Sequence, residues 1–238
     1  MRLPTGLIYD DQDRVIFDPD RQVQKALFTF FDAFRREGSA CATVKYFRQE
    51  GLLFPRRIRA GAEKGNLIWV TLNSAQALKT LHNPRYAGPF ARGRTRSHTM
   101  PDGKLRVRQL PQDQWSVLLP ESHVGYTTWE EFQQNQRRLR ENSAAHGHDR
   151  RQSPPGEGPA LLQGLVICGR CGEPMTIRYR NRKAGIQPVY VCQRESVKHA
   201  EPVCQSIPGA KIDEAVGELL LEMITPLSLQ VALEVHTT

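Results

Sequence analysis

The spacing of hydrophobic positions predicts a long helix near the start of the chain. The segment 18–20 (Asp-Pro-Asp) supplies a capping residue, a proline at the first helical position and an acid in the first turn, and Gly38 ends the helix. Apolar residues follow the cap at spacings of three and four: Val23, Leu27, Phe30, Phe31 and Phe34. Residues at that spacing share one helix face. We therefore expect this stripe in a core rather than at a binding surface.

A second, shorter helix is predicted between Ser39, which can cap it, and Gly51. Its apolar side carries Cys41, Val44 and Phe47. We interpret Cys41 as a packed thiol rather than a metal ligand, because free cysteine behaves as a small hydrophobe. Two helices joined by a tight Gly-Ser turn resemble the start of a helix-turn-helix.

Two further helices are indicated by capping boxes. Asn73 with Gln76 opens one helix, which presents Leu78 and Leu81 and stops before the proline at position 84. The segment 128–131 (Thr-Trp-Glu-Glu) opens another, which extends to about residue 142. Its expected apolar residues are Trp129, Phe132 and Leu139.

Strands are predicted at 67–70 and in a hairpin with arms 90–96 and 104–110 around a turn at 101–103. Side chains alternate along a strand, so the arginines of each arm should share one face. A face that charged meets water or phosphate, not a core. The preceding segment, 51–59, is basic and loop-like.

The chain has a formal net charge of +8, and its cations are clustered rather than evenly spread. Basic stretches of this kind usually contact a polyanion, of which nucleic acid is the commonest, although solubility charge is the alternative. We expect phosphate contacts in the first half from Arg92, Arg94, Arg96, Arg106 and Arg108. In the second half we expect them from Arg178, Arg180, Arg182 and Lys183, which are predicted to form a basic hairpin tip; a merely solvated tip is the alternative. The loop arginines Arg56, Arg57 and Arg59 are candidates for contacts with bases.

Four of the five cysteines follow the pattern Cys-x2-Cys-x20-Cys-x11-Cys: Cys168, Cys171, Cys192 and Cys204. An apolar strand, 161–167, precedes the first pair, and a small loop must bulge between the second pair. Two thiolates two residues apart can reach one tetrahedral zinc ion, and four sulfur ligands leave no position for water. We therefore predict one structural Zn²⁺. A redox Cys-x-x-Cys is the rival, but that motif opens a helix, whereas a strand-like segment follows here.

The segment 143–159 is rich in Gly, Pro, His and Arg and is interpreted as a linker. His146 and His148 lie in it, and a flexible linker is a poor place to fix metal ligands. The acidic cluster Asp10, Asp11 and Asp13 is interpreted as a turn rather than a nuclease metal site. No apolar run is long enough for a transmembrane helix and no signal peptide opens the chain, so we expect a cytoplasmic protein.

In combination, these motifs resemble the DNA-binding half of the large serine recombinases (serine integrases and related transposases). The resemblance covers about residues 3–225. Its motifs are Leu3-Pro4-x-Gly6-Leu7, the helix start at 18–20, Thr43-Val-x-Tyr46-Phe47 running into Gly51-Leu52, Asn83-Pro84-x-Tyr86-x-Gly88, Leu162-x-Gly164-Leu165-x-x-Cys168-Gly-x-Cys171-Gly172-x-x-Met175, and Tyr190-x-Cys192.

The resemblance implies that a preceding catalytic domain supplies the serine nucleophile in this family. The sequence starts where that domain would end, so no serine here maps onto the nucleophile and we expect no DNA cleavage by the chain alone. The family usually continues into a long coiled coil after the ribbon. Here one amphipathic helix is predicted before Pro226 interrupts it, so synapsis through a coiled coil is not expected.

These observations predict an α+β chain with a recombinase DNA-binding domain (1–142), a linker (143–159), a zinc ribbon (160–207) and a C-terminal helix (208–238). The expected partner is double-stranded DNA, bound within site-specific recombination. Two alternatives stay open. The chain could be the DNA-binding half of a split recombinase that works with a separate catalytic subunit, or a remnant or RNA-binding zinc protein.

Overall fold

The computed structural model describes residues 3–101, 103–144, 160–182 and 185–223. Helices alternate with short antiparallel strands, which confirms the α+β class. The chain divides into two compact units: residues 1–150 together with 198–200, and residues 151–197 together with 201–238. None of the helices in the described part of the chain is long and apolar enough to cross a membrane.

The first unit begins with a small hairpin, β1 (Leu7–Tyr9) and β2 (Val15–Phe17). The Asp10 carboxylate closes its turn by accepting the backbone N–H groups of Gln12 and Arg14, both at 2.9 Å. These two bonds and the adjacent Arg14 guanidinium lower the pKa of Asp10, against the opposing effect of burial. The acidic cluster thus lies in a turn, as predicted.

Helix α1 (Arg21–Glu37) carries the predicted apolar stripe, all of it buried, and ends at Gly38 in the left-handed region (φ +74°). Its N-cap is Asp20, whose carboxylate accepts the N–H of Gln22 at 2.7 Å. The prediction that Asp18 caps the helix is therefore wrong by two residues. The Asp18 carboxylate instead accepts the Asp20 N–H and pairs with Arg57.

Helix α2 (Ala40–Gln49) begins after Ser39, whose hydroxyl accepts the Ala42 N–H as predicted. The interpretation of Cys41 as a packed thiol is wrong, because this thiol is exposed. The buried face of α2 is formed by Ala40, Thr43, Val44 and Phe47. Position 41 lies beside that stripe rather than on it.

Strands β3 (Leu53–Arg57) and β4 (Leu67–Thr71) pair antiparallel after α2. The prediction of a loop over 51–59 is therefore wrong for most of that segment. Its proline did not prevent a strand because Pro55 lies in a two-stranded sheet, where one edge needs no N–H donor.

Helix α3 (Ser74–Leu81) has the predicted capping box between Asn73 and Gln76. Leu81 is buried, whereas Leu78 is 39% exposed, so its predicted place in the core is wrong. Ala77 takes that place. A 3-10 turn, Pro84–Ala87, follows.

The turn places Tyr86 in the core, where its hydroxyl donates to the Thr5 carbonyl at 2.9 Å. Tyr126 donates in the same way to the carbonyl of Gly6 at 2.7 Å. Gly6 has φ +92°, and a Cβ on it would come within 2.1 Å of the Leu27 side chain. The N-terminal segment is therefore tied to the core by two tyrosines and by a position that only glycine fills.

The predicted basic hairpin is only partly correct. Its outer strands are β6 (Thr95–Thr99) and β7 (Leu105–Gln109), which pair with each other. Residues Phe90–Arg92 form a separate strand, β5, which pairs with β8 (Val117–Leu119). Gly93 separates β5 from β6 with φ +73°, so Arg92, Arg94 and Arg96 do not share one strand face as predicted.

Helix α4 (Trp129–Ala144) completes the first unit and begins with the predicted capping box. The Glu131 carboxylate accepts the Thr128 N–H at 3.1 Å, and the Thr128 hydroxyl accepts the Glu131 N–H at 3.2 Å. Phe132 and Leu139 are buried as expected. Leu139 belongs to the core cluster of the first unit, with apolar residues from the earlier elements that include Leu7, Val23, Phe30, Phe34, Phe47, Phe54, Leu72 and Leu81, while Phe132 stacks on Trp129.

The elements of the second unit are β9 (Thr176–Arg182), β10 (Gly185–Cys192), most of α5 (Arg194–His199), β11 (Gln205–Pro208) and α6 (Ala210–Met223). Its strands form a three-stranded antiparallel sheet in the order β11-β10-β9. The segment 161–167 was predicted as a strand but forms turns, with a single bridge from Ile167 to Pro174. Helix α5 lies in the segment between Cys192 and Cys204, where a bulging loop was expected.

Tyr190 on β10 anchors the small core of this unit and is fully buried. Its hydroxyl donates to the Asp213 carboxylate of α6 and accepts the Leu162 N–H at 3.1 Å. Burial and the hydrogen bond to Asp213 raise the pKa of Tyr190 to about 12. The phenol is therefore a neutral structural link between α6 and the sheet.

Candidate metal centre and nucleic-acid interface

The four cysteines of the predicted zinc pattern come together at one end of the second unit. Their sulfur atoms all lie within 4.8 Å of one another. Cys171 Sγ is 3.4 Å from Cys192 Sγ, and Cys168 Sγ is 3.8 Å from Cys204 Sγ. These separations exclude disulfides, whose sulfur–sulfur bond is about 2.05 Å.

The geometry of the sulfur cluster fits a zinc ion. Four sulfurs placed tetrahedrally at about 2.3 Å from zinc are about 3.8 Å from one another. The two shortest contacts, 3.4 and 3.8 Å, are close to that value. A zinc ion held by these four side chains would cross-link the first knuckle (168–172) to the second, formed by Cys192 and Cys204, and would have no open position for a substrate.

Local hydrogen bonds hold the first knuckle, 168–172, in the required turn. The Gly172 N–H donates to the Cys168 carbonyl at 2.8 Å, and Gly172 itself has φ +73°. Burial would raise the pKa of the Cys168 thiol, but backbone N–H groups of Arg170 and Cys171 and contacts with the neighbouring thiols outweigh it and lower the pKa to about 6. The turn thus favours a thiolate, the form that binds metal.

Contacts between the knuckles support the same arrangement. The Arg170 guanidinium donates to the Cys204 carbonyl at 3.1 Å, and Arg194 forms an ion pair with Glu173. The pKa of Cys192 is raised to about 12, first by its hydrogen bond with Cys171 and then by burial. Neighbouring thiols in this cluster cannot all ionise without repelling one another. A divalent cation bound between them would offset that repulsion.

The β6–β7 hairpin carries a continuous cationic face. Arg96 lies directly opposite Arg108, and His98 lies opposite Arg106, so these four side chains share one side of the ribbon. Every residue of both strands is exposed. The opposite side carries Thr95, Ser97, Thr99, Leu105, Val107 and Gln109.

The other predicted arginines of the first unit do not join this face. Arg92 is exposed on β5, while Arg94 is half-buried and donates to the His82 carbonyl and the Asn83 side chain, both at 3.5 Å. Burial, and then the charge of Arg85, lowers the pKa of Arg94.

The three arginines at 56, 57 and 59 also separate into different environments. Arg56 and Arg59 are exposed. Arg57 forms an ion pair with the buried Asp18 carboxylate and donates to the Gly65 carbonyl at 3.2 Å. Its guanidinium is therefore engaged within the protein.

In the second unit Arg178, Arg180 and Arg182 alternate along β9, so their positions fall on one side of that strand. Arg178 and Arg180 are exposed, and Arg178 donates to the Gln193 side-chain oxygen. The prediction of a hairpin tip is wrong for these two, which lie within the strand. Lys183 falls outside the described residues, as do His146 and His148.

One basic surface was missed by sequence reasoning. A cleft of about 1060 Å³ opens in the first unit between α3, α4 and the segment 109–115. Besides Arg59 and Arg94 it is lined by Lys79, Arg85, Arg137 and Arg140. The available signal was the spacing of polar residues on α4 at positions 133, 136, 137 and 140, which places them on one helix face.

Two family models match separate parts of the chain. A family model described as Recombinase matches residues 21–142, and one described as Recombinase zinc beta ribbon domain matches residues 161–221. A curated relative from Sinorhizobium fredii, "Uncharacterized protein y4bA/y4pH", is 46% identical over 238 residues, which is 99% of this chain and 34% of the relative. The chain thus spans about a third of that protein's length.

Two solved structures also align with the chain. "Sequence Requirements of the Listeria innocua prophage attP site" covers 97% of this chain and 82% of its own, at 16% identity and a TM-score of 0.33. "Crystal Structure of a LSR-DNA Complex" covers 91% and 56%, at 16% identity and a TM-score of 0.35. Both TM-scores are low, so the family assignment depends on the two sequence models. They match in the expected order and the first covers half of the chain, which confirms the resemblance: the chain belongs to the recombinase family.

Proposed function

We propose that this chain is the DNA-binding part of a site-specific recombinase and that it recognises one half of an attachment site. Residues 1–142 and 160–207 act as two DNA-binding modules, joined by the linker 143–159 and followed by the helix that starts near 208. The phosphodiester chemistry is supplied by a catalytic recombinase domain or subunit. The relative's threefold greater length is consistent with further domains in such a protein.

The observation that carries the proposal is the cationic face of the β6–β7 ribbon. Like charges placed directly opposite each other destabilise a hairpin, and Arg96 opposite Arg108 is such a pair. The cost is recovered when the face meets a polyanion. A two-stranded ribbon also has the width that the major groove of duplex DNA admits.

Other cations extend the contact in both modules. Arg92 and Arg94 in the first module, and Arg178, Arg180, Arg182 and Lys183 in the second, are proposed as further phosphate contacts. Arg56 and Arg59 are proposed to approach bases. We assign Arg57 a positioning role, since its ion pair with Asp18 holds β3 against the start of α1.

The second module is proposed to be held together by one structural zinc ion bound to Cys168, Cys171, Cys192 and Cys204. The zinc-ribbon family match and the sulfur geometry support this assignment. The alternative, a redox pair formed by Cys168 and Cys171, is disfavoured. Such a pair needs only two sulfurs, whereas Cys192 and Cys204 place two more within 4.8 Å.

Selection from a pool of random duplexes tests the proposal. We expect the zinc-loaded chain to enrich a common sequence and to bind it more tightly than an unrelated duplex of equal length. Single-stranded RNA should compete poorly. Preferential retention of single-stranded RNA would contradict the proposal and favour the RNA-binding alternative.

A further inference from the structure

We propose that the basic cleft of the first unit seats one strand of the sugar–phosphate backbone of the bound DNA. This inference rests on the proposed function and adds a second contact surface to the β6–β7 ribbon. The cleft lies between α3, α4 and the segment 109–115, and its cations come from parts of the chain far apart in sequence: Arg59, Lys79, Arg85, Arg94, Arg137 and Arg140.

The charge of the cleft is one-sided. Among the described residues that line it, six are Lys or Arg and none is Asp or Glu. A solvated face normally mixes both signs. Six cations around one concave surface focus the field there and raise the local concentration of an anion.

Helix α4 shows that this one-sidedness has a structural origin. Gln133, Gln136, Arg137 and Arg140 line the cleft. Phe132 is buried and also lines the cleft, whereas Leu139 is buried outside its lining. The acidic Glu131 is used elsewhere, in the capping box and in an ion pair with Arg35 at 3.0 Å. The helix therefore presents amides and cations to the cleft, while the Glu131 carboxylate forms its contacts outside the cleft.

The environment of the cations indicates mutual repulsion and lost hydration. Burial, and then the charge of Arg59, lowers the pKa of Lys79. Burial lowers the pKa of Arg85, and burial with the Arg85 charge lowers that of Arg94. An anion in the cleft would offset the burial and the repulsion that these side chains experience.

The remaining lining fits a nucleic-acid strand better than a single small anion. The volume, about 1060 Å³, far exceeds what one phosphate group needs. Gln109, Gln112 and Gln133 provide amide donors of the kind that contact phosphate and sugar oxygens, whereas the Gln136 amide already donates to the Leu81 carbonyl at 2.8 Å. Trp115, whose indole N–H already donates to the Leu110 carbonyl at 3.0 Å, leaves its ring surface for the apolar faces of sugars.

Two adjacent glutamines give a matched test on the full-length, zinc-loaded chain. Gln133 lines the cleft and Gln134 does not, although both are exposed on α4. Gln133→Glu places a carboxylate beside the expected phosphates and should weaken binding to duplex DNA roughly tenfold, since like charges in contact repel each other. Gln134→Glu makes the same chemical change and should leave the affinity within about twofold.

A charge-removal series gives an independent measurement. The cleft variant combines Lys79→Gln, Arg137→Gln and Arg140→Gln; the control combines Arg21→Gln, Lys25→Gln and Lys45→Gln, which are exposed and outside the cleft. The cleft variant should make the slope of log affinity against log salt less negative by about three, one for each lost phosphate contact. The control should change it by less than about one.

The outcomes separate this inference from the proposed function. The assignment of the cleft to the DNA backbone would be overturned if Gln133→Glu and Gln134→Glu, or the two triple variants, had equal effects in a chain that still binds DNA. That result would leave the proposed function intact. A wild-type chain that shows no salt-sensitive DNA binding would overturn both. Thermal unfolding of each variant checks that the first unit stays folded.

Discussion

Arg96 and Arg108 face each other across the antiparallel ladder of β6 and β7, on a hairpin whose every residue is exposed. In isolation this arrangement is unfavourable, by about 0.2–1 kcal/mol for such a pair. A polyanion-binding site is expected to keep such a pair, because the two charges repel each other in the free protein but both attract the polyanion in the complex. The same logic applies to the crowded cations of the cleft.

Removing this pair should separate binding from stability. We expect Arg96→Gln with Arg108→Gln to leave the free energy of unfolding unchanged or raise it by up to about 1 kcal/mol, because the repulsion is lost. The affinity for duplex DNA should fall, and its salt slope should become less negative by about two. Titrations across a salt series, beside an Arg21→Gln and Lys25→Gln control with the same net charge, measure both effects; an equal loss in the control would contradict the assignment.

Arg56 and Arg57 are neighbours with opposite expected roles. Arg56→Gln should weaken DNA binding without changing the unfolding midpoint, because its side chain is exposed. Arg57→Gln removes the partner of the buried Asp18 carboxylate and should cost about 1–3 kcal/mol of stability. Chemical denaturation and DNA titration of both variants check this. A stable Arg57→Gln protein with weakened DNA binding would show instead that Arg57 contacts DNA.

The metal centre is tested by two cysteine variants. Cys204→Ser removes one of four sulfur ligands, so we expect loss of bound zinc and unfolding of the second unit, since a structural zinc contributes folding energy directly. Cys41→Ser, at an exposed thiol outside the cluster, should keep the zinc and the unfolding profile of the wild type. Elemental analysis and thermal unfolding distinguish them. Full zinc retention by Cys204→Ser would contradict the four-sulfur site.

The capping box of α4 predicts a pH dependence. Hydrogen bonds from Thr127 and Thr128 and the charge of Arg35 lower the pKa of Glu131 against the opposing effect of burial. A carboxyl whose pKa is lower in the folded state contributes stability above its unfolded pKa of about 4.3, and this is lost as pH falls through the folded value. Glu131→Ala should cost about 0.5–2 kcal/mol at neutral pH and much less near pH 3, whereas Glu130→Ala should cost little at either. Urea unfolding at both pH values checks this; a pH-independent cost would contradict it.

Local features of the fold were predictable from the sequence because they depend on contacts within a few residues. Ser39, the Asn73–Gln76 box and the Thr128–Glu131 box all cap helices as expected. The Cys-x-x-Cys turn belongs to the same group, since Gly172 closes it by a bond to Cys168.

Features that depend on distant contacts were not predictable. The pairing of Arg92 with Val117 detaches β5 from the hairpin, and nothing near Arg92 in the sequence indicates it. The pairing of Asp18 with Arg57 spans 39 residues and turns an expected helix cap into a partner for β3. The cleft likewise exists only once α3, α4 and the segment 109–115 come together. The sequence therefore marked Arg59 and Arg94 as DNA contacts but did not place them beside Lys79, Arg137 and Arg140.

A salt-series titration of the metal-analysed chain against random-sequence duplex DNA, with and without a strong chelator, tests the central claim most directly. Contacts with about six phosphates predict a slope of log affinity against log salt near −5. We also expect about one zinc per chain and weaker binding after chelation. A chain that carries zinc but binds no duplex at low salt would contradict the claim that it is a DNA-binding module.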